Sequence, residues 1–476
     1  MARRKLRFLA GAAFLVLPLS AAISPPARAQ GSIYPENVGE NRSELARALG
    51  GAGYVVAATG DNAEFNRLIQ AAVARHPALA MQSSQAAAAR AEAKAARAAL
   101  YPRISASIDG DYVIARRFNT GTSNVVESLR PKNQVNAGVT ASQLIFDGGA
   151  TFARIRSAKA KRRESDLSID ARINELSLAA LSAYHDVAVH QAILALGAQY
   201  VAHHEKLLAN VKERERAGAG SRADVLRAEA RLAAARSRVA QIKESARVAD
   251  VRYAEYFREP PATLSLPDYE ALAVATREEA VTLALANNPL VGAAAARTES
   301  AEAERKAAKA ARLPELRANV TGTSFDVLDG ANDYDVRAGV NLSYDLFAGG
   351  ARSASISRAR NLAERQIAEE DSVRLEIERE AAIAFERREA ANEQLAALEL
   401  ALVANSQARA MVSERFRAAR GDLLDVIQAE SDWFEAGVGY LSGLADRDMA
   451  SYELMEFTGD LLRYFSPRDE DRAENQ

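Results

Sequence analysis

The sequence predicts a mainly α-helical chain with a small β part, made by internal duplication. Three observations carry this. Residues 137–149 (AGVTASQLIFDGG) return as residues 338–350 (AGVNLSYDLFAGG), with seven of thirteen aligned positions identical. Before each copy the apolar period is two, as in a strand with one buried face. After each copy, a helical pattern runs without proline through residues 150–217 and 352–419. At 1.5 Å per residue, each of these helices is about 100 Å long. A monomeric globule cannot bury such a helix, and paired long helices read as a coiled coil.

The N-terminus reads as a signal peptide over residues 1–29. Arg3, Arg4, Lys5 and Arg7 precede an apolar run, and Ala27-Arg28-Ala29 is a small-x-small cleavage site. Residues 30–60 are glycine-rich and poorly patterned, an extension that is loose or draped over the body. The first repeat is expected over 61–258. A helix through Phe65, Leu68, Ile69 and Val73 breaks near Pro77, and an alanine-rich helix follows to Leu100, before Pro102.

Two strands come next. Ile104, Ala106, Ile108, Gly110, Tyr112 and Ile114 share one face of the first. Val135, Ala137, Val139, Ala141 and Ile145 share one face of the second, and polar residues 116–133 join the two. The second copy alternates likewise through Leu316, Ala318 and Val320, and through Val336, Ala338, Val340, Leu342, Tyr344 and Leu346. Each strand pair ends in Phe-x-Gly-Gly, which places Gly148 and Gly149, then Gly349 and Gly350, at a strand-to-helix junction. From alternation alone the strands suit either a half-buried soluble hairpin or a barrel facing lipid outside and water inside. Four strands cannot close a membrane barrel, so the second reading requires an oligomer.

Each long helix ends at a small-residue turn, at 217–221 and at 418–422. Gly218 and Gly220 suit a C-cap, and Ser221 and Asp422 suit N-caps of the returning helices. Asp-Val-Leu/Ile-x-Ala-Glu then appears in both copies, from Asp224 and from Asp425. A proline-rich linker, 259–273, precedes the second repeat, 274–464, and a charged tail, 465–476, is expected to be disordered.

Bulk properties narrow the function. The 476 residues carry a formal net charge of −2, which gives no basic surplus for nucleic acid. The absence of cysteine excludes disulfides, thiolate metal sites and a lipid anchor on an N-terminal cysteine. His76, His185, His190, His203 and His204 form no metal motif, and no nucleophile elbow, phosphate loop or cofactor signature is present. Catalysis, metal and cofactor are therefore not expected. No later run is long and apolar enough for a membrane helix, so a membrane-spanning form would be a barrel.

The duplicated order of helix, Leu/Tyr-Pro, strand, loop, strand ending in Phe-x-Gly-Gly, long helix, small-residue turn and Asp-Val-Leu/Ile-x-Ala-Glu resembles the TolC-like outer-membrane efflux protein family. The resemblance covers residues 61–464. It implies a homotrimer whose twelve strands close one transmembrane β-barrel and whose helices continue as a periplasmic α-barrel. It implies an outer-membrane location after signal cleavage near Ala29, and contact with outer-membrane lipid. Partners would be a periplasmic adaptor and an inner-membrane ABC or proton-driven pump.

By the same resemblance, Gly218, Gly220, Ser221, Asp224, Ala419, Gly421 and Asp422 form the periplasmic tip where the adaptor docks. Asp425 lies at the pore constriction, and Gln428 stands where some members carry a second acid. Ala419 replaces a commonly found glycine. From the residues alone, Asp425 reads as a solvated first-turn acid stabilised by the helix dipole. Arg214, Arg216, Arg415 and Arg417 flank the turns and are expected either to make ion pairs closing the tip or to stand as solvated helix-end cations. The similarity of residues 421–426 (GDLLDV) to secretion-type members favours the exit duct of a type I secretion system, with a multidrug efflux pump as the alternative. A periplasmic adaptor or structural coiled coil is the competing class, and it would lack the duplicated amphipathic hairpin.

Overall fold

The computed structural model of the chain describes residues 44–49, 62–115, 117, 133–264, 266, 274–328 and 333–465. The chain divides into two units, Met1–Glu44 and Leu45–Gln476. Every element below belongs to the second. The expected signal peptide, most of the 116–133 loop, the later part of the 259–273 linker and residues 466–476 lie outside the described residues.

The first copy runs α1 (Asn62–Arg75), α2 (Pro77–Ala98), β1 (Arg103–Tyr112), β2 (Asn133–Phe146), α3 (Ala150–Arg216) and α4 (Arg222–Phe257). The second runs α5 (Arg277–Asn287), α6 (Pro289–Ala310), β3 (Glu315–Ser324), β4 (Tyr334–Ser343), α7 (Ala351–Arg417) and α8 (Leu423–Thr458), closed by the short α9 (Leu461–Phe465). Both long helices, α3 and α7, have 67 residues. The paired X-Pro sites are helix starts. His76 Nδ1 accepts from Ala78 N at 3.2 Å, and Asn288 Oδ1 accepts from Leu290 N at 2.9 Å, with proline in the first turn of each helix. Among the described residues no helix is long and apolar enough to cross a membrane.

The strands form one antiparallel sheet in the order β1-β2-β3-β4, so β2 and β3 join the two copies. Residues directly opposite in such a ladder share a face. Ala141 lies opposite Val320 and Gln143 opposite Ala318, and then a bulge between Leu144 and Phe146 shifts the register. The extra residue places Phe146 opposite Leu316. Simple alternation had assigned that face to Ile145, so the assignment is corrected. The expected alternation through Leu346 also overruns. β4 ends at Ser343 because its partner β3 starts opposite it, at Glu315.

The helices bury a core along α3 and α8. One cluster gathers Leu196, Tyr200, Trp433, Phe434 and Leu441, and another gathers Ile69, Ile173, Leu181, Tyr184, Tyr253 and Phe257. Burying each of these large side chains contributes roughly 1.5–3 kcal/mol. Two expectations about loose segments change. Within the 30–60 extension, Leu45, Ala48 and Leu49 are buried, and Trp433 Nε1 donates to Ala48 O at 2.7 Å. Phe465, expected in the tail, is 2% exposed and joins the second cluster, because the apolar α9 packs on α1 and α3. The start of the linker is held as well: Gln191 Nε2 donates to Ala262 O at 2.8 Å, and its Oε1 accepts from Leu264 N at 3.0 Å.

Candidate functional site at the helical tip

Each long helix closes with the same pair of backbone bonds. Ala219 N donates to Arg214 O at 2.8 Å and Gly218 N to Glu215 O at 3.0 Å. In the second copy Arg420 N donates to Arg415 O at 2.9 Å and Ala419 N to Phe416 O at 3.1 Å. This is the Schellman arrangement, whose penultimate residue is left-handed. Gly218 takes it at φ +74°, and Ala419 takes it at φ +57° with a Cβ in place. For an L-residue that conformation costs roughly 1–2 kcal/mol. Gly220 is not a cap, contrary to expectation. A Cβ there would stand 3.2 Å from Glu215 N, so its smallness lets the turn fold back on the helix end. Gly421 repeats this at 3.2 Å from Phe416 N.

The returning helices are capped differently, and the difference decides which acid is free. In the first copy Ser221 Oγ accepts from Asp224 N at 3.1 Å, and Asp224 Oδ2 accepts from Ser221 Oγ at 2.8 Å and from Ser221 N at 3.4 Å. Asp224 is thus consumed in a capping box. It also lies 3.7 Å from Arg227. In the second copy Asp422 itself accepts from Leu424 N at 3.3 Å. Asp425, the counterpart of Asp224, is left exposed at the first turn of α8 with its carboxylate unspent.

Below Asp425 in sequence the stripe continues at helical spacing. Gln428 Nε2 donates to Asp432 Oδ1 at 2.7 Å, and both residues are exposed. Asp432 was missed by the sequence reading, although its i, i+7 relation to Asp425 puts it on the same helix face.

Arg214, Arg216, Arg415 and Arg417 form no ion pairs among the described residues. Glu213 and Glu414 stand three positions before Arg216 and Arg417, a spacing that would allow a pair along the helix, yet none forms there. Arg214 instead lies 4.7 Å from the Phe416 ring centre, which ties one hairpin to the other. The ion pairs near the tip are Lys212–Glu229 at 2.7 Å, Arg222–Glu215 at 3.8 Å and Arg227–Asp224 at 3.7 Å, all within the first hairpin. The hydrogen bond from Lys212 holds the Glu229 carboxyl below its ordinary range. Under the turns, Leu207, Val211, Val225, Phe416, Leu423, Val426 and Ile427 form a small apolar cluster.

The strand-to-helix glycines are not part of the tip. They sit at the other end of α3 and α7, about 100 Å away along the helices. Gly149 and Gly350 start those helices at φ +86° and +85°. Among the described residues no cluster of His, Cys, Asp and Glu is arranged to hold a metal ion.

Residues 68–254 and 280–460 match the family model described as "Outer membrane efflux protein". The outer membrane efflux protein BepC of Brucella suis is 25% identical over 355 residues, which cover 71% of this chain and 76% of that protein. Protein CyaE of Bordetella pertussis is 28% identical over 405 residues, covering 83% of this chain and 84% of its own. Among solved structures, the outer membrane protein VceC of Vibrio cholerae superposes with a TM-score of 0.73 at 18% identity, over 83% of this chain and 96% of that one. The fold is therefore that of the TolC-like channel-tunnels, which are not enzymes, and the competing adaptor class falls away. The chain belongs to the outer membrane efflux protein family.

Proposed function

We propose that three copies of this chain close into one duct, with the sheet in the outer membrane facing lipid and the helices reaching into the periplasm. One observation carries the reading: the chain is an open ring segment. Among the described residues α3 packs against α2 and α6, and α6 against α3 and α7, but α2 and α7, the two ends of this series, do not pack on each other. The sheet is open at the same two ends, at β1 and β4. Its edge residues Ile104, Ile108, Tyr112, Val336, Val340 and Leu342 are all more than half exposed. Joining the β4 and α7 end of one copy to the β1 and α2 end of the next removes both edges at once.

Substrates enter at the tip, delivered by an inner-membrane ABC or proton-driven pump through a periplasmic adaptor that docks on the two turns. Asp425 from three copies converges on the axis and favours cations. The tip residues 421–426 favour a type I secretion duct over a multidrug one. Single-channel conductance of the purified protein in a planar bilayer tests the duct. A small cation-selective conductance, increased in Asp425→Ala, is expected. Folded trimers without conductance would end the reading. Loss of a secreted polypeptide in a strain lacking the gene, without added drug sensitivity, is the outcome that separates the two cargo classes.

A further inference from the structure

Three helices meet at a buried ionic group above the tip. Glu430 of α8 is 8% exposed. Its Oε2 lies 3.2 Å from His203 Nδ1 of α3 and 3.6 Å from Arg409 Nη1 of α7. Arg409 Nη1 is also 3.2 Å from His203 Nδ1. The guanidinium stacks 3.9 Å from the ring centre of Trp433, which in turn holds Ala48 O. Burial lowers the Arg409 pKa, and Glu430 opposes that shift. Beside the group, burial also lowers the His204 pKa; Glu430 opposes this, and His203 and Arg231 add to it.

Two features set this group apart from an ordinary structural ion pair. Glu430 Oε2 is buried beside the Arg409 guanidinium and the His203 ring, yet it has no hydrogen-bond partner among the described residues. The group also interrupts an otherwise apolar seam: Leu207, Val211, Phe416, Val426 and Ile427 lie on its tip side, and Tyr200, Leu402 and Phe434 on the other. A well-packed apolar filling of such a site is often at least as stable as the ions. Ions differ in one respect that suits a moving part, because water can take them up when the helices separate. The seam also joins the two copies, α3 from the first and α7 with α8 from the second.

We infer that His203, Arg409 and Glu430 form a clasp that holds the α7–α8 hairpin against α3 in the closed duct and lets go when the tip opens. This rests on the reading of the tip as a gate. The test is planar-bilayer recording of wild type, Glu430→Gln, the triple variant His203→Phe/Arg409→Met/Glu430→Met, and Asp425→Ala. Trimer content is checked by native mass spectrometry.

Removing the carboxylate charge leaves Arg409 buried without its counter-ion, so Glu430→Gln trimers should be open about tenfold more of the time. The apolar triple should be open less than wild type. Wild-type behaviour of Glu430→Gln, with a raised Asp425→Ala conductance, overturns the clasp and leaves the duct standing. If Glu430→Gln does not assemble, the triple decides, and an open fraction at or above wild type overturns the clasp. Silence from wild type and Asp425→Ala alike removes the duct, and the clasp with it.

Discussion

The helices α3 and α7 are copies of one 67-residue element, yet their own chain covers α3 far more fully than α7. α3 is buried at intervals from Ala150 to Val211, against α2, α4, α6 and α8. α7 buries a sparse set that includes Ala363, Ile377, Ala381, Phe385 and Leu402, and leaves Leu375 and Leu400 67% and 74% exposed. The junctions at their starts differ in the same way. A Cβ on Gly148 would stand 2.7 Å from Leu313 Cδ1, whereas one on Gly349 would meet nothing within 4 Å. The repeat counterpart of Leu313 is Tyr101, which is 71% exposed. Duplication gave both copies the same element but not the same surroundings.

The largest effect should come from testing that contrast directly. Leu181 on α3 is fully buried, so Leu181→Ala should lower unfolding stability by about 2–5 kcal/mol, whatever the oligomeric state. Leu375→Ala should leave the secondary structure intact and weaken the trimer, read as dissociation at lower detergent or protein concentration. If Leu375→Ala trimers are as durable as wild type, the bare face of α7 is not where the next copy sits.

A smaller effect sharpens the comparison at α8, which lies against both long helices. Glu456 has its carboxyl pKa raised from 4.5 to about 7, first by burial and then by Glu453 and Glu175. The α7 side of this strip relieves its acid, since Glu453 pairs with Arg387 at 2.6 Å. The α3 side offers the Glu456 backbone carbonyl an Asn174 donor at 3.4 Å, but no cation is paired with its carboxylate. A raised carboxyl means that the native state holds the proton to higher pH than the unfolded chain does. Stability should therefore fall as pH climbs from about 4.5 to about 7, by at most about 3 kcal/mol, and then level off. Thermal melts against pH should show that slope, and Glu456→Gln should flatten it and melt higher above pH 7. An unchanged slope in the variant would place the titration elsewhere.

Much of this architecture was legible in the sequence, for identifiable reasons. The duplication, the change of period and the unbroken helices are local patterns, and they fixed the element order. X-Pro pairs and small-residue turns marked helix ends because capping chemistry is local too. The bulge at Leu144–Phe146 was not legible, because register depends on a partner strand some 180 residues away in the chain. The missing tip ion pairs, the burial of Leu45, Ala48 and Leu49 and the Glu430 cluster depend likewise on which helices meet. Asp224 and Asp425 look alike in sequence. Only the residue three positions earlier, Ser221 or Asp422, and the bonds it makes decide which acid is spent.

The smallest effect lies in the two turns, whose left-handed position differs by a single methyl group, Gly218 against Ala419. Ala419 holds φ +57° and Gly218 holds φ +74° inside the same hydrogen-bonded frame. Ala419→Gly should therefore relieve strain and raise stability by up to about 1 kcal/mol, less what glycine adds to unfolded-chain entropy. Gly218→Ala should lower it by about the same amount. Melting midpoints of the two variants should move in opposite directions. If both fall, Ala419 is held by contacts that outweigh its backbone strain. The second turn would then be the more firmly fixed of the two.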